Sequence, residues 1–396
     1  MNVPAAEEPS IVQLTLEQAV RLALQANPQV QNANLTVAER QEDIHVARAG
    51  LLPQATLKVS DSAERINLGS TFGKALPIFP HHVGPFQVFD AGPEFSTPIF
   101  DLTLWRNAQA SRASRESARH DEQSVREQTT LLVVSQYLAA LRAAEQVGTV
   151  QSRPDLAVAL ADQAQQLEEI GIGTNLDTVR ANVELQNARQ ALLVAQADSK
   201  KALYGVARLL DLDPRQQIHL TDQSYFNATP EFPGDASISS ALANRPELQS
   251  LASQEAAARI KRQFTREQRL SSLSVGGTWD YQGTSLSSSI PTYVLAATVS
   301  VPVWTSGRIH AEEAKASLEV REIANQQRGE RDAIVEEVRA AEADLASGRS
   351  QVDVARSGLA LADKELGQAR ERFAAGIANN IALITAQDSR PAPTTI

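Results

Sequence analysis

The 396-residue chain carries a formal net charge of −10, is 42% hydrophobic and 21% charged, and has only 5% aromatic residues. Excess negative charge disfavours nucleic acid as a partner, because binding to the phosphate backbone depends on lysine and arginine. The sequence has no cysteine, which excludes disulfides, thiolate metal sites, a cysteine nucleophile and an N-terminal lipid-bearing cysteine. Abundant alanine, glutamine, glutamate and arginine favour long helices over a thick globular core.

The first helix of the chain is predicted to begin at Thr15, because Thr15 and Gln18 have the spacing of a capping box. We expect it to run to about Ala49, since Gly50 and Pro53 are typical helix-ending residues. The residues before it have neither a basic start nor an apolar run, so we expect a tail without a signal peptide. No stretch of the sequence approaches the roughly 18 apolar residues of a membrane-spanning helix.

Landmark residues recur in the same order in the two halves of the chain, which indicates a tandem duplication. The corresponding landmarks are Pro28 and Pro246, Pro98 and Pro302, and Gly171 and Gly376. Each copy is predicted to contain a helix, two strands, a long helix, a turn and a returning helix.

The duplication predicts how the chain is divided. The expected segments are an N-terminal tail at 1–13, a first repeat at 14–211, a linker at 212–236, a second repeat at 237–388 and an irregular tail at 389–396. The first repeat would contain a β-hairpin at 53–100 and a tip turn at 171–176, followed by a returning helix. The second would contain a β-hairpin at 270–304 and a tip turn at 376–381, followed by a truncated returning helix.

Helical periodicity is clearest in the second copy. From Ile334 to Phe373, apolar or small residues follow one another at alternating spacings of four and three. This is the heptad pattern of a left-handed coiled coil. A similar stripe runs from Leu185 to Leu209 in the first copy, where Gly148 and Pro154 are expected to bend the preceding helix. Such long helices need partners along most of their length.

In the second copy, two runs of about nine residues alternate apolar residues with small or polar ones. The apolar sides hold Leu273, Val275, Gly277, Trp279 and Tyr281 in the first run, and Tyr293, Leu295, Ala297, Val299 and Val301 in the second. The pattern fits a transmembrane strand between lipid and water, and it fits a hairpin packed on a soluble core equally well. Trp279, Tyr281 and Tyr293 lie towards the turn-side ends, where an aromatic girdle would sit.

The hairpin of the first copy shows the same alternation less clearly. Ala55, Leu57 and Val59 share one side, and a loop rich in proline and glycine follows from about Leu68 to Pro85. Two strands per copy are too few to close a barrel, and open sheet edges are not tolerated in lipid. If the strands span a membrane, several chains must share one barrel.

Three stretches occur in a characteristic order: "LTLEQAVRLALQANPQV" at 14–30, "ARAGLLPQATLKVS" at 47–60 and "STPIFD" at 96–101. Together with the turns at Gly171 and Gly376, they resemble the TolC-like outer-membrane efflux proteins over nearly the whole chain. The resemblance implies a mainly α fold with a transmembrane β part. Long antiparallel coiled-coil helices would form an α-barrel, and four β-strands per chain would contribute to a shared trimeric β-barrel of twelve strands.

The resemblance also implies a location and partners. A homotrimer would lie in the cell outer membrane, with its helices extending into the periplasm. It would be the passive exit duct of a tripartite efflux or type I secretion system, exporting small molecules or proteins to the exterior. A periplasmic adaptor protein and an inner-membrane pump would complete the assembly.

By resemblance, the two tip turns form the periplasmic mouth and meet the adaptor. The residues carried over by motif are Gly171, Thr174 and Leu176 at the first tip, and Gly376, Asn380 and Ile381 at the second. Glycine after a helix and threonine or asparagine before one are also ordinary caps. A purely structural role is therefore the alternative for these positions.

No residue pattern points to catalysis, a cofactor or a metal ion. The six histidines have no metal-ligand spacing, and neither a nucleophile elbow nor an HExxH motif occurs. We therefore predict a protein that is not an enzyme and needs no cofactor.

Two other interpretations follow from the sequence. One is a soluble periplasmic coiled-coil adaptor with small β elements. The other is an assembly-defective fragment of an efflux channel, because the last helical pattern fails by Ser389 and "RPAP" cannot continue a helix. Much of the stripe from Ile334 to Phe373 would then lack its antiparallel partner.

Overall fold

The computed structural model describes residues 12–68, 82–213, 215–222 and 234–374. Several predictions therefore fall outside the described residues: the second tip turn with Gly376, Asn380 and Ile381, the tail at 389–396, and part of the linker at 212–236.

Helices dominate the described part of the chain. In chain order its elements are β1 (Val12–Leu14), α1 (Leu16–Ala26), α2 (Pro28–Ala49), β2 (Gln54–Ile66), β3 (Val83–Phe100), α3 (Leu102–Gln151), α4 (Arg153–Glu169), α5 (Asn175–Leu209), β4 (Ile218–Leu220), α6 (Gly234–Asn244), α7 (Pro246–Glu267), β5 (Ser272–Gly283), a short 3₁₀ helix (Leu286–Ser288), β6 (Ile290–Ser300) and α8 (Arg308–Ala374).

The capping box predicted at the start of α1 is confirmed. The Gln18 backbone N–H donates to Thr15 Oγ1 at 3.2 Å, and the Thr15 N–H donates to Gln18 Oε1 at 3.0 Å. The prediction of one continuous helix to Ala49 is wrong, because the chain leaves the helical conformation at Asn27. Asn27 has φ −58° and ψ 126°, as expected for a residue that precedes a proline, here Pro28.

Helix α8 confirms the long heptad segment of the second copy. It runs without a break for 67 residues, about 100 Å at 1.5 Å per residue. The corresponding stretch of the first copy is divided into α3 and α4 at Ser152, and Pro154 lies in the first turn of α4. Proline lacks a backbone N–H, so the first turn is the helical position that tolerates it.

The four long strands form one antiparallel sheet in the order β2-β3-β5-β6. Its central pair, β3 with β5, joins the hairpin of the first copy to that of the second. The strands have 13, 18, 12 and 11 residues, longer than the nine or so that the alternation predicts. The short strands β1 and β4 form a separate parallel pair, with Val12 opposite Ile218 and Leu14 opposite Leu220.

The chain forms two compact units, and each takes segments from both copies of the duplication. Of the described residues, the helical unit takes those up to Asn34, those within Glu122–Arg245 and those from Arg331 onward. The sheet unit comprises Leu35–Asp121 and Pro246–Glu330 and contains the four-stranded sheet.

Tyr137 is at the centre of the core of the helical unit and is fully buried. Its hydroxyl lies 2.8 Å from Asp222 Oδ2 and 2.9 Å from the Leu14 carbonyl oxygen. The Leu16 N–H donates to the same Asp222 oxygen at 2.6 Å. The buried residues of this core are Leu14, Ala19, Ala23, Val133, Tyr137, Ala140, Val206 and Leu210. The polar contacts therefore hold β1 and the segment after β4 against α3.

Candidate membrane face and helical tip

One face of the four-stranded sheet is apolar and largely exposed in the single chain. The register places Trp279 opposite Tyr293 and Gly277 opposite both Leu295 and Phe95. Directly opposed residues of antiparallel strands share a face, so the apolar sides of all four strands come together. The larger apolar residues of this face are Leu57, Val59, Phe95, Leu273, Val275, Trp279, Tyr281, Tyr293, Leu295 and Val299.

Gly277 interrupts the apolar face for a structural reason. A Cβ at this position would lie 3.1 Å from the nearest ring carbon of Phe95 and would also meet the Val294 carbonyl oxygen. A glycine inside a strand commonly marks such a close approach. The ring of Phe95 therefore covers the gap, and the face stays apolar across the two central strands.

The opposite face of the sheet is mainly polar, although β6 also places Ile290, Val294 and Ala296 on it. Thr278 lies opposite Glu94, and Asp90 lies opposite Gln282, whose Nε2 is 3.4 Å from Asp90 Oδ2. The remaining polar residues of this face include Thr56, Lys58, Ser60, Ser96, Ser274, Asp280, Thr292 and Thr298. A sheet with one apolar and one polar face is suited to separate lipid from water.

The three residues predicted for an aromatic girdle lie on the apolar face, close to the turn between β5 and β6. The rings of Trp279 and Tyr293 stack, with centroids 5.9 Å apart and an interplanar angle of 23°. Tyr281 follows on the same face of β5. Their contact with lipid stays a prediction.

Both outer strands of the sheet have a free edge within the described part of the chain. The order β2-β3-β5-β6 leaves one side of β2 and one side of β6 without a partner strand. Free edges present unpaired N–H and C=O groups that can pair with another chain.

The first tip turn is built by glycine and threonine in structural roles. Gly171 has φ +77°, in the left-handed region that glycine enters without steric cost. The N–H groups of Ile172 and Gly173 then donate to the Leu167 carbonyl at 3.0 and 2.8 Å, which satisfies the end of α4.

Thr174 begins α5 as its N-cap. The Asp177 N–H donates to Thr174 Oγ1 at 3.3 Å, and the Thr174 hydroxyl donates to Asp177 Oδ2 at 2.6 Å. The Thr174 hydroxyl, followed by its backbone N–H, lowers the pKa of Asp177 below its usual range. Gly171 and Thr174 therefore shape the turn, and their contact with an adaptor stays a prediction.

The exposed apolar side chains of the first tip include one predicted residue and two that were not predicted. Leu176, one of the predicted residues, is exposed, and so are Ile170 and Ile172, the latter at 75%. The residues carried over by motif at this tip were Gly171, Thr174 and Leu176, so the two isoleucines were missed. The signal was the pair of isoleucines that flank Gly171, since large aliphatic residues are unusual in a solvated turn.

A comparison with known protein families gives a match in each of the two copies of the duplication. The family described as outer membrane efflux protein matches residues 19–211 and 237–390. The chain belongs to the outer membrane efflux protein family. This confirms the resemblance drawn from the sequence motifs. Membership in a family of efflux proteins also supports the prediction that the chain is not an enzyme.

Solved structures show that this efflux protein has the fold of outer-membrane channels. The CmeC outer membrane channel of Campylobacter jejuni superposes with a TM-score of 0.79 at 17% identity, over 94% of this chain and 79% of CmeC. The outer membrane protein VceC of Vibrio cholerae gives 0.77 at 16% identity, over 94% of this chain and 89% of VceC. The mainly α fold class with a small β part is thereby confirmed.

A curated relative matches over a shorter length. Protein CyaE of Bordetella pertussis is 24% identical over 207 residues, which are 52% of this chain and 42% of CyaE. The match therefore spans less than half of the length of CyaE.

None of the described helices is both long enough and apolar enough to cross a bilayer. Across the same residues, no three His, Asp or Glu side chains are grouped as a metal site would need.

Proposed function

We propose that this efflux protein is one protomer of a passive exit duct in the outer membrane, with its strands in the bilayer and its helices in the periplasm. The observation that supports this most directly is the four-stranded sheet, which has one apolar face and one mainly polar face. Membrane barrels have this division, with lipid outside and water inside.

The free edges of β2 and β6 favour assembly from several protein chains. A bilayer offers no water to satisfy unpaired backbone groups, so a spanning sheet must close on itself. In a ring of several chains, β6 of one chain would pair with β2 of the next chain. Three copies of a four-stranded sheet supply twelve strands, within the range of membrane barrels.

The exposed residues of the first tip support a partner in the periplasm. Ile170, Ile172 and Leu176 form an apolar group at the end of the α4–α5 hairpin, and we assign this group to contact with a periplasmic adaptor. Large exposed aliphatic groups of this kind are typical of protein contacts. Together with an inner-membrane pump, the duct would carry small molecules or proteins outward, as in tripartite efflux or type I secretion.

A matched pair of substitutions on β6 tests the membrane assignment. Leu295, 69% exposed, lies mid-strand on the apolar face, and its neighbour Ala296 lies on the polar face opposite Gly276. Arginine on the lipid side costs about 2–4 kcal/mol at the bilayer midplane, whereas a residue facing water is tolerated. Leu295→Arg should therefore reduce the yield of membrane-inserted oligomer strongly, and Ala296→Arg should not.

The measurement is refolding of the chain into phosphatidylcholine vesicles, followed by native sizing of the extracted oligomer and by single-channel recording. Equal losses for the two variants would contradict the assignment of the faces. A chain that remains a soluble monomer without detergent would overturn the channel and favour the adaptor interpretation.

A further inference from the structure

A cleft of about 420 Å³ lies at the junction between α7 and β5 in the sheet unit. Its lining residues are Arg106, Gln263, Arg266, Glu267, Arg269 and Leu270, and we call it the arginine cleft. Three guanidinium groups against a single carboxylate give it a net positive charge in a chain whose overall charge is −10. The local excess is therefore opposite in sign to the protein as a whole.

The hydrogen bonding of the arginine cleft leaves one cation available. Arg106 and Glu267 bind each other in a two-point contact, with Nε 3.0 Å from Oε2 and Nη2 3.0 Å from Oε1. Arg269 forms an exposed pair with Glu313 at 3.0 Å. Within the described residues, the guanidinium of Arg266 forms neither a hydrogen bond nor an ion pair. It can therefore bind an anionic group that enters the cleft.

Exposed aromatic residues mark the level of the cleft relative to the strands. The ring of Trp105 is 48% exposed and lies 5.1 Å from the Arg106 guanidinium carbon. Trp304, 85% exposed, follows the end of β6. Both lie at the strand ends that join the helices, opposite to Trp279 and Tyr293 at the turn side. Tryptophan and tyrosine concentrate at both membrane–water interfaces.

Given the outer-membrane location of the proposed function, on which this inference rests, we propose that the arginine cleft binds an anionic phospholipid headgroup of the periplasmic leaflet. Guanidinium groups match the geometry of a phosphate and are its preferred partners in proteins. The exposed side chains of Trp105 and Leu270 are placed beside the cleft to contact the glycerol and upper acyl region. Arg266 supplies the charge that the Arg106–Glu267 pair does not.

The test compares lipids retained by the inserted chain. The protein is refolded into vesicles of phosphatidylcholine alone and of phosphatidylcholine mixed with phosphatidylglycerol, and retained lipids are counted by native mass spectrometry. The wild-type chain should prefer phosphatidylglycerol, and Arg266→Gln should lower that preference about fivefold, as expected for one basic residue at an anionic surface. Arg262→Gln is the matched control, because Arg262 is exposed on the same helix but does not line the cleft.

A second variant distinguishes loss of the lipid site from misfolding of the chain. Arg269→Gln removes only an exposed ion pair, which contributes roughly 0–1 kcal/mol and so leaves the fold intact. Combined with Arg266→Gln, it should abolish the lipid preference while the yield of inserted oligomer stays unchanged. Inorganic phosphate should not displace the lipid, because it lacks the glycerol and acyl contacts.

Each other outcome overturns the proposal at a definite point. Displacement of the lipid by inorganic phosphate would identify a site for free phosphate. A lower oligomer yield for Arg266→Gln in both vesicle types would identify a contact between copies of the chain. Insertion without any preference for phosphatidylglycerol would refute the lipid site alone, whereas failure to insert into either vesicle would refute the proposed function as well.

Discussion

Replacing Tyr137 by phenylalanine should loosen the attachment of β1 without disturbing the surrounding helices. The substitution keeps the ring in its fully buried position and removes only the hydroxyl. That hydroxyl has one proton, and its nearest acceptor is the Asp222 carboxylate at 2.8 Å. The other contact, to the Leu14 carbonyl at 2.9 Å, shares the same donor.

The expected cost follows from what each acceptor retains. A hydrogen bond to a charged group contributes about 1.5–3 kcal/mol. Leu14 still accepts from the Thr221 N–H at 3.1 Å, and Asp222 still accepts from the Leu16 N–H at 2.6 Å. Because neither acceptor is left without a partner, we expect about 2 kcal/mol rather than the upper limit. This corresponds to roughly thirtyfold faster opening of the segment.

Hydrogen exchange measured by mass spectrometry reports this opening directly. Exchange in residues 12–16 and 218–222 should accelerate in Tyr137→Phe, while α4 and α5 keep their protection. Tyr204→Phe is the control, because Tyr204 is 55% exposed on α5 in the same unit. A change of less than about twofold at β1, where about thirtyfold is expected, would refute the role assigned to the hydroxyl. A uniform acceleration over the whole chain would do so too.

The same contact predicts a loss of stability in alkali. Burial, and then the hydrogen bond to the Asp222 carboxylate, raises the pKa of Tyr137 to about 12. The folded state therefore favours the neutral phenol, and this contribution is complete below the ordinary tyrosine pKa of about 10. It is lost as the pH rises towards 12. The urea midpoints of the wild type and Tyr137→Phe should therefore converge over that range.

Three further substitutions test local features. Gly205→Ala should change stability little on its own, because displacement of the Gln136 amide by the new methyl offsets the higher helix propensity of alanine. In a Gln136→Ala background, the same substitution should stabilise the protein by about 1 kcal/mol in urea unfolding. Thr174→Ala should cost about 1 kcal/mol of capping energy, seen as faster hydrogen exchange confined to the first turn of α5. A photo-crosslinking residue at Ile172 should form an adduct with a co-expressed periplasmic adaptor, whereas one at Gln165, exposed earlier in the hairpin, should not.

Periodic patterns in the sequence predicted most of the fold, because they depend on residues that are close in sequence. The heptad stripe predicted α8, and the alternation around Trp279 predicted which side chains of β5 share a face. The break at Asn27 was missed because the helical pattern continues on both sides of it, although Pro28 marks the position. A local rule was available there and was outweighed by the longer periodic signal.

Features that depend on distant contacts could not be predicted from the sequence. β1 has three residues and pairs with a strand of equal length far along the chain, and such short runs carry no readable alternation. The ion pair of Arg106 with Glu267 joins residues 161 positions apart, and both residue types are ordinary on a helix surface. At the tip, the sequence indicates the turn formers but not the exposure of Ile172, which depends on how the hairpin closes.

The sheet shows that the two copies of the duplication are not independent folding units. A two-stranded hairpin is at best marginally stable by itself, whereas three or more strands with an apolar face can be stable. The central pairing of β3 with β5 supplies those neighbours to each hairpin from the other copy. The Phe95 ring that covers Gly277 crosses the same boundary. Within one chain, the first hairpin can therefore acquire a sheet of more than two strands only from the second hairpin, so sequence repetition and structural division follow different boundaries.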